Sequence, residues 1–331
     1  MVSRSAHSLA AGRDYPRTWD QFLDWFPDEA ACLRYLERLR WPEGFVCPHC
    51  GTAAEPYRAS RNRLVCSGCR AQCSVTAGTI FAKTRTPLRS WLAAVWYVTN
   101  QKHGVSALGL KRVLGLGSYQ TAWTMLHRLR RAMVRAGRER LAGVVEVDET
   151  YVGGRDTGLA TARRARRRKL KAPLLESKKS IVVIAVEVLE PPKGFGRIRL
   201  RRVRTATEQN VVPFVLESIQ PGSTIHTDGS WVYQSLPEHG FIRDKTVLLG
   251  SEDPAHVSLP GVHRVASLLK RWLLGTHQGS VQPHQLDYYL DEFTFRFNRR
   301  SSRSRGLLFY RLLEQAVATS PVTYRAIAKN A

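Results

Sequence analysis

The sequence predicts a multidomain α/β protein, and three observations carry that prediction. Two Cys-x-x-Cys pairs lie close together in the first quarter of the chain. A stretch of helical periodicity broken by a glycine turn follows them. Beyond residue 140, three successive strand patterns give way to alternating strands and helices. The length of 331 residues suits two domains and a small third module. The expected divisions are a helical segment over 1–43, a cysteine module over 44–86 and a second helical segment over 87–140. A mixed α/β domain over 141–302 and a tail over 303–331 complete the chain.

In the first segment, Phe22, Trp25 and Phe26, then Leu33, Leu36 and Leu39, recur at helical spacing. The pairs CPHC (Cys47, Cys50) and CSGC (Cys66, Cys69) stand 15 residues apart. Each places two thiolates on one side of a tight turn, and two such knuckles close a tetrahedron around zinc, as in a zinc ribbon. Gly51 and Gly68 sit where tight turns favour glycine. Cys73 is an alternative ligand, whereas Cys32, within CLRYLERLRW, reads as a core cysteine. All six cysteines lie in one quarter of the chain, which argues against a disulfide framework.

Pro87 can open the next helix, with Trp91, Val95 and Val98 on one face. Val105, Leu108, Val113 and Leu114 mark a short helix, GLGS over 115–118 a turn, and YQTAWTMLHRLRRAM a second, basic helix. This resembles a helix-turn-helix, with a plain helical hairpin as the alternative. In a helix-turn-helix, Ser118, Tyr119, Gln120 and Thr124 would meet base edges, and Arg128, Arg130 and Arg131 phosphates.

The α/β domain opens with VVEVDETYVGG, followed by a basic insertion over 155–179. Seven Lys or Arg fall within 163–171, Arg166, Arg167 and Arg168 among them, as in a loop that meets DNA phosphates or a solvated linker. Strands SIVVIAVEVL and RIRLRRVRTA come next, then a helix over about 208–219, the strand STIHTD, and helices near 262–274 and 283–299. That is the element order of a ribonuclease H-like core, although pattern alone leaves other mixed α/β folds open.

Lys and Arg number 51 against 27 Asp and Glu, a formal charge of +24, which favours a polyanionic partner. The longest apolar runs, Trp91–Val98 and Ile181–Val186, are far shorter than the ~20 residues of a membrane span. The N-terminus has no apolar stretch of secretory type, so a cytoplasmic, nucleoid-associated protein is expected. Within this basic chain Asp148 sits near the end of an apolar strand, and Asp228 ends another before Gly229. Either residue alone reads as a surface or turn carboxylate. Together they offer the hard oxygens that hold a divalent metal beside a phosphodiester.

VEVDETYVGG, GSTIHTDGSWVYQSL, SLLKRWLLGTHQGSVQPHQLDYYLDEFTFRFNRR and the ribbon with VTAGTIFAKTRTPLRSW resemble the insertion-sequence transposases that join a zinc ribbon to a DDE-type core. The resemblance spans roughly residues 15 to 302. It implies a bacterial or archaeal DNA transposase with a ribonuclease H-like catalytic core, structural Zn²⁺ and catalytic Mg²⁺ or Mn²⁺. It further implies double-stranded DNA partners, namely terminal inverted repeats and target DNA, and a homo-oligomer bridging two ends. Asp148 and Asp228 match the first two catalytic positions. The third lies seven residues before a helical Lys, which makes it His263 ahead of Lys270. Those two share a helix face.

Many members of the family carry Glu at the third position, so His263 is a departure, as is Arg243, where His is frequent. Glu292 is a fallback carboxylate. Glu146 shares the face of Asp148, and Glu149 faces away. Arg296, Asn298, Arg299 and Arg300 are candidate DNA-backbone contacts. The alternative to an active enzyme is a decayed transposase that only binds DNA. Imidazole is a neutral ligand that prefers softer metals than Mg²⁺. Activity is therefore expected to be stronger with Mn²⁺ and to fall below about pH 6.5 as His263 protonates; a flat profile between about pH 5.5 and 8 would remove His263 from the ligand set.

Overall fold

The computed structural model describes residues 9–135, 137–153, 179–191, 193–246, 258–279 and 281–328. The chain divides into two compact units, one of residues 1–135 with 301–331 and one of residues 136–300. The insertion carrying Arg166, Arg167 and Arg168 lies outside the described residues.

The first unit opens with helices α1 (Trp19–Trp25) and α2 (Glu29–Arg40). Each starts at a residue whose side chain accepts a first-turn N–H, Thr18 from Gln21 and Asp28 from Ala31. A three-stranded antiparallel sheet of β1 (Tyr57–Ala59), β2 (Arg63–Val65) and β3 (Gln72–Ser74) follows. Next come α3 (Leu88–Asn100), α4 (Ala107–Val113) and α5 (Tyr119–Ala132). Ser106 and Ser118 cap α4 and α5. Pro87 precedes α3 and offers no capping side chain. The Glu29 carboxylate takes that role from α2, accepting from Leu88 N at 2.8 Å and Arg89 N at 3.3 Å.

The second unit is built on a five-stranded sheet of β4 (Val144–Val152), β5 (Ser180–Val188), β6 (Phe195–Val203), β7 (Thr224–Asp228) and β8 (Ile242–Thr246). The strand order is β6-β5-β4-β7-β8. β4 pairs antiparallel with β5, and β5 with β6, whereas β4–β7 and β7–β8 are parallel. This is the mixed α/β core expected from the element order. Helix α6 (Glu208–Ser218) covers one face, where Val211, Phe214 and Val215 join Val145, Val147, Val183, Ala185 and Ile225. Helices α7 (Pro260–His277) and α8 (Leu286–Asn298) cover the other, where Val262, Val265, Leu269, Leu290 and Phe293 meet Val182, Ile184, Val186 and Ile198. β5 is covered on both faces, which is why its sequence is a continuous apolar run.

Residues 303–331, expected as a tail, differ from that reading. They form α9 (Arg305–Ala318) and α10 (Tyr324–Ala328), which return to the first unit. Phe309, fully buried, lies 5.5 Å from Trp96, 5.8 Å from Phe22 and 6.0 Å from Phe26 between ring centroids. A Cβ at Gly306 would run into the Pro16 carbonyl, so the helix can seat here only with glycine at that position. Apolar periodicity in the tail carries no sign of what it docks against, and the partners are about 290 residues earlier in the chain. Phe309→Ala is expected to remove about 3–5 kcal/mol from the unfolding free energy of this unit. A denaturant midpoint in tryptophan fluorescence equal to that of the unsubstituted chain would show that α9 does not hold the unit together.

Candidate active site and metal centre

The two cysteine knuckles are near copies of one backbone design. Gly51 N bonds Cys47 O at 2.9 Å, and Arg70 N bonds Cys66 O at 3.0 Å. Gly51 and Arg70 occupy matching left-handed positions, with φ of +75° and +62°. Gly68 is needed for another reason than turn conformation, because a Cβ there would lie 2.8 Å from Thr52 Oγ1. The thiols of Cys47, Cys50, Cys66 and Cys69 all lie within 4.8 Å of one another. Cys47 and Cys69 Sγ are 3.8 Å apart, and Cys50 and Cys66 Sγ 3.6 Å. Tetrahedral zinc with bonds of about 2.3 Å requires sulfurs about 3.8 Å apart, so the four residues fit structural zinc. Hydrogen bonds donated by the Thr52 hydroxyl and then its backbone N–H pull the Cys50 thiol down to about 6, whereas the neighbouring thiols push that of Cys69 up. Cys73 is buried beside the cluster and outside it, its thiol pushed up by burial. Cys32 is a core residue whose thiol burial raises to about 12.

In the second unit the register of β4 with β7 pairs Glu146 with His226. The paired register ends there, and Asp148 and Asp228 follow two residues further along their strands, near enough for the Asp228 charge to act on Asp148. Burial is the main cause that pushes the Asp148 carboxyl up to about 7. The charges of Glu149 and Asp228 add to it, against a hydrogen bond from Glu149 N at 2.7 Å. Asp228 accepts from Ser230 N at 3.0 Å. Arg243, the second departure from the family pattern, clasps the turn after Asp228. Its guanidinium donates to Ser230 O at 2.8 Å, and to Asp228 O and Thr227 Oγ1 at 3.4 Å each. Glu149 faces the opposite side and accepts from the buried Tyr233 hydroxyl at 2.6 Å, tying β4 to the segment after β7. Buried hard oxygens that repel one another fit a divalent cation.

His263 lies half-buried in the first turn of α7, and Lys270 is exposed two turns on, beside Val152, Gly153 and Ser180 at a cavity of about 350 Å³. Among the described residues, the four cysteines form the one group of three or more such ligands with atoms all within 4.8 Å. Asp148 and Asp228 thus lie on neighbouring strands, and among the described residues they and His263 do not form one such group. Glu292, the fallback carboxylate, is buried and paired with Arg296 at 2.7 Å.

Several residues expected to contact DNA are buried or already bonded within the fold, although Ser118 and Arg300 stay exposed. Arg130 is 2 % exposed, and Arg128 donates to Val322 O at 3.0 Å and Ile80 O at 3.2 Å, so neither presents its guanidinium outward. Ser118 caps α5, and the Thr124 hydroxyl donates to Gln120 O at 2.8 Å. Tyr119, Gln120 and Arg131 are exposed. Asn298 bonds both polar groups of Ile198, Arg299 stacks on Phe295, and Arg300 donates to Gly196 and Phe297 carbonyls. Basic composition alone could not separate these arginines from solvated ones.

A four-cysteine ribbon that fits zinc is followed in the chain by an α/β core with an aspartate within β4 and another at the end of β7. Residues 27–72 match the transposase zinc-ribbon domain, and residues 140–298 the ISXO2-like transposase domain. The chain belongs to the zinc-ribbon, DDE-type insertion-sequence transposase family that these two domains define. A protein of the transposable element ISH50 of Halobacterium salinarum is 28 % identical over 283 residues, 82 % of this chain and 91 % of that protein. A chain of the simian T-cell lymphotropic virus intasome in complex with the PP2A regulatory subunit B56 gamma is 14 % identical. It covers 60 % of this chain and 67 % of that one with a TM-score of 0.31, a likeness too slight to bear on the fold. The two domains imply DNA binding, and no described helix is long and apolar enough to cross a membrane.

Asp148 carries a testable pH dependence. Its folded pKa of about 7 lies above the ordinary 3.8, so keeping it ionised costs stability from about pH 4 upward, and that cost is complete above pH 7. Asp148→Asn should therefore melt several degrees above the unsubstituted protein at pH 8 and with it below pH 4. Mn²⁺ should raise the melting temperature of the unsubstituted protein at pH 8 and not that of the variant. Equal Mn²⁺ shifts in both would exclude Asp148 as a ligand.

Proposed function

We propose that the chain is a DNA transposase that binds the terminal inverted repeats of its insertion sequence, cuts their 3′ ends and joins them to target DNA. The observation that carries this reading is Asp148 and Asp228 on the neighbouring parallel strands β4 and β7, the Asp228 charge adding to the burial that raises Asp148 to about 7. Asp148 and Asp228 would hold the divalent ion, and His263 would enter as third ligand once DNA closes the site. A bound Mg²⁺ or Mn²⁺ supplies positive charge against the charge that develops at phosphorus and favours the ionised nucleophile. Arg243 and Ser230 N hold Asp228 in place, and Lys270, on the His263 face of α7, would meet a DNA phosphate.

In the first step a water oxygen attacks phosphorus and the bond to the 3′ oxygen breaks, leaving a 3′-hydroxyl and a 5′-phosphate. In the second, that 3′ oxygen attacks a target phosphorus and expels the target's 3′ oxygen. Both are in-line displacements. The ribbon, the exposed start of α5 at Tyr119 and Gln120, Arg131 and the basic insertion with Arg166, Arg167 and Arg168 would carry end binding. Two copies would bridge the two ends, and the protein would work on nucleoid DNA in a prokaryotic cytoplasm.

A second reading, a DNA-binding relic, rests on the departure at His263 from the Glu that many members of the family carry. An assay on DNA carrying the gene-flanking ends separates the two. Asp148→Ala, Asp228→Ala and His263→Ala should each bind the ends as the unsubstituted protein does. Nicking and joining should fall on the order of 10³-fold or more for the aspartates. Binding without cutting by the unsubstituted protein, with either metal, would establish the relic.

A further inference from the structure

Helix α7 begins at an N-cap residue that makes no side-chain capping bond. Leu259 at its N-cap has no acceptor, and Pro260 has no N–H to satisfy. The N–H groups of Gly261 and Val262 turn instead to a carboxylate 116 residues away in sequence. Val262 N donates to Glu146 Oε2 at 2.9 Å, and the Gly261 N–H is the second backbone donor to the same group. Glu146 is 3 % exposed, and His226, level with it on β7, is the other charged group acting on it. The approach is close enough to exclude a side chain at 261. A Cβ there would lie 2.8 Å from the Phe195 ring and 2.9 Å from Glu146 Oε2.

We infer that Glu146 is a positioning residue, whose carboxylate pins the first turn of α7 to β4 and so fixes where His263 stands relative to the strand of Asp148. Glu146 and Asp148 share one face of β4 two residues apart, about 7 Å. Val262, the residue that Glu146 holds, immediately precedes His263. The bond therefore joins the strand of the first aspartate to the helix turn of the third candidate ligand. An uncapped first turn frays; Val262 alone gives that turn an apolar anchor, whereas Val265, Leu269 and Leu273 hold the later turns. Burying a carboxylate is costly where an apolar side chain would serve, so this one is explained by its bonds rather than by packing. Glu29 makes the same kind of long-range cap at α3, the other helix that starts at a proline.

The catalytic purpose rests on the role proposed for His263, and the experiment has an arm that does not. Amide hydrogen exchange over 259–266 is measured without metal in the unsubstituted chain, Glu146→Ala, Glu146→Gln and Gly261→Ala. Glu146→Ala should speed exchange of the first turn by about 5- to 30-fold, the range that loss of an N-cap produces, with α8 unchanged. Glu146→Gln keeps an acceptor oxygen and should stay close to the unsubstituted rate. Should Glu146→Ala not fold, Gly261→Ala, which keeps the carboxylate and forces the helix away, should give the same local rise. A first turn as protected in Glu146→Ala as before would overturn the inference.

In the second arm, ends already bound are cut in single turnover as Mn²⁺ is raised. Glu146→Ala should need more Mn²⁺ and cut more slowly with end binding unchanged, Glu146→Gln should restore most of the rate, and Glu146→Ala should add nothing to His263→Ala. Losses that multiply in the double variant would sink the positioning role. If the unsubstituted protein cuts nothing, the catalytic reading falls alone, and the exchange arm still decides whether Glu146 holds α7.

Discussion

The parallel pairing of β4 with β7 is the constraint on which the second unit depends. β4 is antiparallel to β5 on one side and parallel to β7 on the other, so the hand of the sheet changes at β4. Open α/β sheets leave a crevice at the ends of strands where the order reverses. Asp228 ends β7, and Asp148 lies on the neighbouring β4 just beyond the last pair of their parallel register. A shift of one residue in β7 would send Asp228 to the α6 face and Thr227 to the other, since side chains alternate. Arg243 and the Glu149–Tyr233 bond guard against that slip from two directions.

Carboxylates serve this chain in two distinct ways. Asp148 is left with its charge poorly matched by its surroundings, the condition of a group awaiting a cation. Glu29, Glu187 and Glu292 are fully engaged, with two helix N–H groups, with Arg197 at 2.7 Å and with Arg296 at 2.7 Å. The contrast distinguishes candidate chemistry from architecture more sharply than residue type does.

The arginines divide similarly. Arg40 donates to Ser74 and Val75 carbonyls, Arg128 to Ile80 and Val322, and Arg199 to Ile198 and Glu139. In each, a planar fork of donors satisfies backbone carbonyls that strand or helix pairing leaves over. The formal charge of +24 is therefore an upper bound on what faces a polyanion, although the field at long range retains all of it.

The sequence by itself determined the ribbon and the strand and helix order of the core. Those features are local: knuckle spacing is set by turn geometry, burial on two faces writes a continuous apolar run, and a strand end is marked by glycine. Only the tertiary structure decided that the last thirty residues close the first unit, that Arg128 and Arg130 are internal, and that Cys73 stays outside the thiol cluster. It alone decided that Arg243 clasps the Asp228 turn, and that α3 and α7 borrow their caps from glutamates elsewhere. Each of those joins residues far apart in the chain, where the energy lies in a single buried bond or ring contact. Such bonds leave no periodicity for a sequence to display.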